Sequence, residues 1–224
     1  MYIKYKPISV FWHFLISACT TFSVLYSSGI MSGNFRWQFQ FFDYDIAILT
    51  AVYYFILAFW QMGSSQDGKT SLWIGFKFTL ITNLCLIFLV SMIIIYNGDL
   101  PEDADIKFIF SRFTVYILPF LVLMDWLLFD SKGNFKNNFI FFAFIPIVLY
   151  GFTVYLLTAI GGITGFYDYP YFFMDLGSDE WKLHFSLLAV IQIAFLVLCY
   201  LLVVVDGLPA LFSGITAKFK KSEG

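Results

Sequence analysis

Six apolar runs separated by short polar connections make up almost the whole chain: Pro7–Ile30, Ile46–Met62, Leu72–Tyr96, Phe108–Phe129, Phe139–Ile160 and Phe185–Val205. Each has roughly the 17–25 residues that a helix needs to cross a hydrocarbon core ~30 Å thick. Inside a bilayer no water satisfies backbone N–H and C=O groups, so a span is either a helix or part of a closed barrel. Barrel strands alternate in character over ~10 residues, and these runs are too long and too continuous for that. The pattern predicts an all-α, polytopic helical membrane protein: one transmembrane domain over residues 1–224 with six transmembrane helices.

Composition removes the soluble alternative. With 60% hydrophobic and only 12% charged residues, and a mean hydropathy of +0.82, there is no polar face to coat a globule in water. The first run is longer than the ~7–15-residue apolar core of a signal peptide and is read as a retained helix. The net charge of −2 says nothing about nucleic acid, but no basic stretch exceeds Lys218–Lys221, and no nucleic-acid partner is expected. Cys19, Cys85 and Cys199 each fall inside a run and read as small buried apolar residues. No metal-ligand spacing occurs, so neither a metal nor a cofactor is expected.

The distribution of charge is more informative than its sum. Lys4, Lys6, Lys69, Lys132, Lys136, Lys218, Lys220 and Lys221 fall on one set of connections, and only Arg36, Lys107 and Lys182 on the other. Positive residues stay on the cytoplasmic side, which places both termini in the cytoplasm. The outer side is acidic, carrying among others Asp43, Asp45 and Asp175. Two inner connections, around Gly63–Gly68 and Asp130–Asn134, carry turn residues, and predict spans two and three, and four and five, as antiparallel neighbours. Trp37, Trp60, Trp73, Trp126 and Trp181 lie near run ends, as in an interfacial aromatic belt. The longest outer connection, residues 161–183, contains Phe166, Tyr167, Tyr169, Tyr171, Phe172, Phe173 and Trp181. So much ring surface predicts a segment folded over the bundle, closing the mouth of a cavity between helices.

Ionisable groups at membrane depth are costly and point to pairing or function. Lys77 and Asp125 lie at similar depth with opposite charge; alone, Lys77 could snorkel to the inner surface. Arg112 sits about a turn inside the outer end of span four, on the same side as Asp43, Asp45 and Asp175. His13 in span one and His184 at the start of span six read first as packing residues. There is no G-x-S-x-G nucleophile motif, no ladder of acids through a span, and no inverted repeat of the kind that marks secondary transporters.

Three segments carry a resemblance. Leu121 to Gly133, with Met124-Asp125-Trp126-Leu127-Leu128-Phe129 at its centre, is followed by Pro146-Ile147-Val148-Leu149-Tyr150 and by Gly165 to Gly177, which includes Tyr169-Pro170-Tyr171 and Asp175. Together they resemble the androgen-induced membrane protein family in its bacterial branch, over about Pro119 to Gly207. The six-span order extends the similarity loosely over the rest. The resemblance implies, from eukaryotic relatives, a membrane-embedded hydrolase of fatty acid esters of hydroxy fatty acids, with an intramembrane threonine nucleophile and a histidine. A hydroxyl nucleophile needs such a nearby base. Here Thr114 and Val115, with Tyr116 beside them, stand where the histidine would be, and residues 38–43 after Arg36-Trp37 contain no threonine.

That mechanism therefore does not carry over, and the expected function is an integral membrane protein with a lipid-facing intramembrane cavity. One alternative is a lipid-ester hydrolase with a relocated pair, Thr114 or Tyr116 near Asp43 or His184. Another is a small transporter or a non-catalytic membrane scaffold. The candidate cavity or ion-pair residues are Asp43, Lys77, Arg112, Thr114, Tyr116, Asp125, Tyr169, Asp175 and His184. Membrane lipid is the expected partner, no protein partner is assigned, and the excess of Phe, Ile and Tyr over Ala points to a low-GC bacterial source and its cytoplasmic membrane. Reporter fusions after Asp67, Gly133 and Gly224 should all read cytoplasmic; an outer reading at any of them would overturn the six-span topology.

Overall fold

The protein is described by a computed structural model that covers residues 5–32, 41–64, 72–95, 112–160, 169–175, 177 and 179–222. Of the residues singled out above, Lys4, Arg36, Trp37, Asp67, Gly68, Lys69, Tyr96, Lys107, Gly165, Phe166, Tyr167 and Gly224 lie outside these, as do residues 108–111 of the fourth run. Among the described residues every regular element is helical.

Helix α1 spans Lys6–Ser27 and opens on Pro7, whose missing N–H costs nothing in a first turn. It ends where Gly29 takes φ 74°, a left-handed conformation open to glycine. Helix α2 is Phe42–Gly63, and begins earlier than the apolar run because Asp43 and Asp45 sit favourably in a first turn. Helix α3 covers Ile74–Val90 and continues as a π-helical turn, Ser91–Ile95. The fourth run folds as two pieces, α4 (Phe113–Tyr116) and α5 (Leu118–Phe129). Pro119 has no N–H to close on the Val115 carbonyl, so the ladder breaks at Ile117. Helix α6 is Phe139–Ala159; a 3₁₀ turn, Phe172–Met174, precedes α7, Trp181–Ser222, which runs on well past Val205. Five of these helices are long and apolar enough to cross a membrane, and Phe113–Phe129 is a shorter apolar stretch.

Helix α3 is the axis of the bundle. It is buried on most sides, with 67% of its spanning window inside the bundle, and it touches α2, α4, α5, α6 and α7. Helices α1 and α2 pack closest, because Ser17, Thr20, Ala47, Thr50, Ala51 and Ala58 present small side chains at the seam. Ser17 Oγ crosses it to donate to the Ala51 carbonyl at 2.9 Å. Helices α6 and α7 are peripheral, with 17% and 22% of their windows buried.

Spans four and five differ from the expected antiparallel pair: α6 lies against α3 and meets α5 little. The connection between them is the reason. Phe135 inserts into the core, stacking on Trp126 at 5.4 Å and meeting Phe78 edge-on at 4.9 Å, and this plug carries the chain across to α3. Asp206 of α7 fixes the plug from the other side. Its carboxylate accepts from the backbone N–H of Asn134 at 2.7 Å and of Phe135 at 2.8 Å, and from Trp126 Nε1 at 3.1 Å. Gly133, at φ 83°, donates to the Asp206 carbonyl at 2.9 Å. Trp126 is thus a core residue, not a member of an interfacial belt, whereas Trp73 and Trp181 are exposed. Lys132 covers the Trp126 ring, its Nζ 3.8 Å from the centroid. Burial pushes the Lys132 ammonium down to about 8, against the opposing pull of Asp130 and Asp206.

Candidate functional site

Polar side chains collect at two places, one towards each end of the bundle. The first is an ionic cluster with Asp125 at its centre. Lys77 Nζ lies 2.5 Å from Asp125 Oδ2 and 2.5 Å from Asp130 Oδ2. Asp125 Oδ1 accepts from His13 Nε2 at 2.8 Å, and Oδ2 from the Tyr54 hydroxyl at 2.9 Å. A carboxylate only accepts, so His13 carries a proton on Nε2. Its Nδ1 meets the Gln61 side chain at 2.9 Å, and Ser9 Oγ donates to the same amide oxygen at 3.2 Å. Lys77 and Asp125 are both 0% exposed, so the lysine does not snorkel; it is held in the interior by two carboxylates. The cluster joins α1, α2, α3 and α5. Its groups satisfy one another, which is the chemistry of a structural ion network.

The second place is a cavity of about 1370 Å³ bounded by α2, the π-helical end of α3, α4, α6, α7 and residues 170–174. Apolar side chains such as Phe42, Leu86, Ile147, Phe152 and Ile191 make most of the wall, while Ser27, Asp43, Tyr44 and Arg112 group together at one side. Asp43 and Tyr54 stand on the same helix, about 16 Å apart at 1.5 Å per residue, so the cavity and the ionic cluster are separate sites.

The segment before α7 is strapped across this cavity by contacts to three helices. Tyr171 donates to Asp43 Oδ1 at 3.4 Å, stacks on Phe173 at 5.3 Å and meets Tyr150 of α6 edge-on. Burial, reinforced by the charge of Asp43, lifts the Tyr171 phenol well above its ordinary range and keeps it a donor. Tyr155 of α6 donates to the Met174 carbonyl at 3.0 Å. His184 of α7 donates through Nδ1 to the Asp175 carbonyl at 2.7 Å, which fixes its tautomer. Tyr169 packs on Tyr155, 5.5 Å between ring centres, and the Asp175 side chain accepts from the Gly177 N–H at 3.1 Å.

The remaining candidates fall around Asp43. Thr114 donates to Asp43 Oδ2 at 3.3 Å, yet it is buried and off the cavity wall, which runs instead through Val115 and Tyr116. Arg112 lies on the wall and is exposed. Its charge acts on Asp43, but among the described residues no ion pair within 4.0 Å joins it to Asp43, Asp45 or Asp175. His184 is turned to the strap and Asp43 to Thr114 and Tyr171. Sequence reasoning missed Tyr54, Gln61 and Asp130 as members of the ionic cluster, and Ser27, Tyr44, Tyr150 and Tyr155 on the cavity wall. No group of His, Cys, Asp and Glu among the described residues could hold a metal ion.

No protein-family model matches the chain, and neither curated proteins nor solved structures show a similar one. The geometry alone defines the candidate site: a half-open, largely apolar cavity with a small charged group at one side, in a helical bundle suited to a membrane.

Removing one partner of the ionic cluster should be expensive because the other is left buried and charged. Lys77→Met and Asp125→Leu should each cost about 3–5 kcal/mol, and the double variant should cost less than their sum. Unfolding titrated with sodium dodecyl sulfate and followed by circular dichroism measures this; strictly additive losses would mean that the pair is not coupled.

Proposed function

We propose that the chain is a six-span integral membrane protein, both termini cytoplasmic, that takes a membrane lipid into the cavity between α2, α3, α6 and α7. The cavity itself carries this reading. At about 1370 Å³ it exceeds the ~300–1,000 Å³ usual for compact ligands, which suits a long, flexible chain. Its walls are mostly aliphatic and aromatic, and Ser27, Tyr44 and Arg112 gather with Asp43 at one side, the division that an amphiphile has within itself. Apolar helices around it allow the chain of such a ligand to arrive from the bilayer. The resemblance to the androgen-induced membrane protein family points the same way, towards a membrane-embedded protein that handles lipid. The proposed location is the cytoplasmic membrane of a low-GC bacterium.

Gly151 provides the test. It lies on the cavity wall, and a Cβ added there meets nothing within 4 Å. Gly151→Phe should therefore fill the cavity without displacing its lining. In nanodiscs, a fluorescent long-chain amphiphile should bind the parent protein saturably and the variant about tenfold more weakly, a difference of ~1.4 kcal/mol, with the unfolding midpoint unchanged. Equal binding by the two proteins would remove the reading.

One observation favours a second reading, ester hydrolysis. Thr114 Oγ1 is hydrogen-bonded to Asp43, as a hydroxyl nucleophile is to its base. Because Thr114 stands behind the wall, binding is placed first. A fluorophosphonate probe should label the parent protein and spare Thr114→Val if hydrolysis is the activity; absence of label on the parent would leave binding alone.

A further inference from the structure

Resting on the reading of the cavity as an amphiphile site, the geometry points to Arg112 as the selector of the ligand's headgroup, an oxyanion (carboxylate or phosphate monoester) on a single alkyl chain. A guanidinium is charged at all relevant pH and offers five N–H donors in a planar fork that matches two oxygens of such a group. Arg112 stands on the cavity wall, at the residue that opens α4. Among the described residues no carboxylate lies within 4.0 Å of it.

The nearest acid whose charge reaches Arg112 is Asp43, and that acid is engaged elsewhere. Its Oδ1 accepts from Tyr171 and its Oδ2 from Thr114. Asp43 also lies in the first turn of α2, where the helix N-terminus favours a negative charge. It is thus held by its own partners and not by an ion pair with Arg112, which stands exposed on a wall of mostly apolar side chains. A charge-assisted bond formed there is stronger than a neutral one.

Asp43 and Arg112 share the polar side of the wall, so they act on an anionic headgroup with opposite sign. Loss of Arg112 removes the attraction; neutralising Asp43 removes a repulsion. A residue that merely supported the fold would lower binding of every ligand alike. The two substitutions therefore separate headgroup selection from structural damage.

The experiment uses the full chain in nanodiscs of electrically neutral lipid at neutral pH. Four ligands with the same sixteen-carbon chain compete for the fluorescent amphiphile: hexadecanoate, hexadecyl phosphate, hexadecanol and hexadecyltrimethylammonium. Both anions should bind about tenfold tighter than the alcohol, the size expected for hydrogen bonds to a charged group. Arg112→Gln should abolish that preference and leave hexadecanol unchanged, while Asp43→Asn should strengthen both anions relative to the alcohol. Tighter hexadecanoate would identify a fatty carboxylate as the source of the oxyanion, and tighter hexadecyl phosphate a phosphate head. An anion preference that survives Arg112→Gln, or a cation that binds best, overturns the proposal while the cavity reading stands. If hexadecanol and the other three all fail to bind, the cavity reading falls and the headgroup proposal with it.

Discussion

One carboxylate organises this bundle. Asp125 receives Lys77 from α3, His13 from α1 and Tyr54 from α2, so four helices are fixed by bonds to the two oxygens of a single side chain. In a medium without water each of those groups would be costly alone. The directionality of the bonds supplies what apolar packing cannot, a unique register between helices whose surfaces are otherwise equally greasy. Lipid tails are as apolar as leucine, so burial alone does not choose between one helix–helix arrangement and another.

Clamping the helices at one end has a counterpart at the other. Beyond Tyr54 the seam of α1 and α2 stays tight through small residues, but α3 unwinds into a π-helical turn at Ser91–Ile95 and the fourth run is broken between α4 and α5. Both irregularities border the cavity, where Ser91, Arg112, Val115 and Tyr116 are on the wall. π-Helical turns recur at functional sites because they displace side chains from regular spacing. Here the displaced helix ends leave room that the aromatic strap, held by Asp43, Tyr155 and His184, partly roofs.

Much of this was legible in the sequence. Run length and continuity gave helices of roughly the right extent, five of them long and apolar enough to cross a membrane, and the cost of charge in hydrocarbon singled out Lys77 and Asp125. The ring density of the long outer connection marked a segment whose described residues, 169–175, pack on the bundle. What stayed hidden depends on contacts between residues far apart in the chain. Nothing in the spacing of His13, Tyr54 and Asp125 shows that they share one point, and a lone histidine in a run looks like packing. The position of α6 was misread because a short connection implies a neighbour, whereas a buried Phe135 turned it towards α3. Trp126 sits near a run end, as an interfacial residue does, and only Asp206 explains why its indole is inside. Arg112 illustrates the converse: it stands on the same side as Asp43 and its charge acts on that acid, while the two Asp43 oxygens accept from hydroxyls of Tyr171 and Thr114.

The ionic cluster also has a history in time. Ribosomes deliver this chain from its amino terminus, so His13, Tyr54 and Lys77 emerge before Asp125 does. On the proposed six-span reading, span three enters the bilayer carrying an ammonium whose principal partner has not been made, at a cost of about 2.5–3.5 kcal/mol on insertion scales. The stretch from Phe78 to Val90, uncharged throughout and continuously apolar from Leu84, outweighs that cost and lets the helix in. Asp206, which shapes the turn at Gly133–Phe135, arrives later still. Lateral assembly of the inner core thus waits for the fourth span, and closure of the Phe135 plug for the last, which makes the order of synthesis part of how the fold is reached.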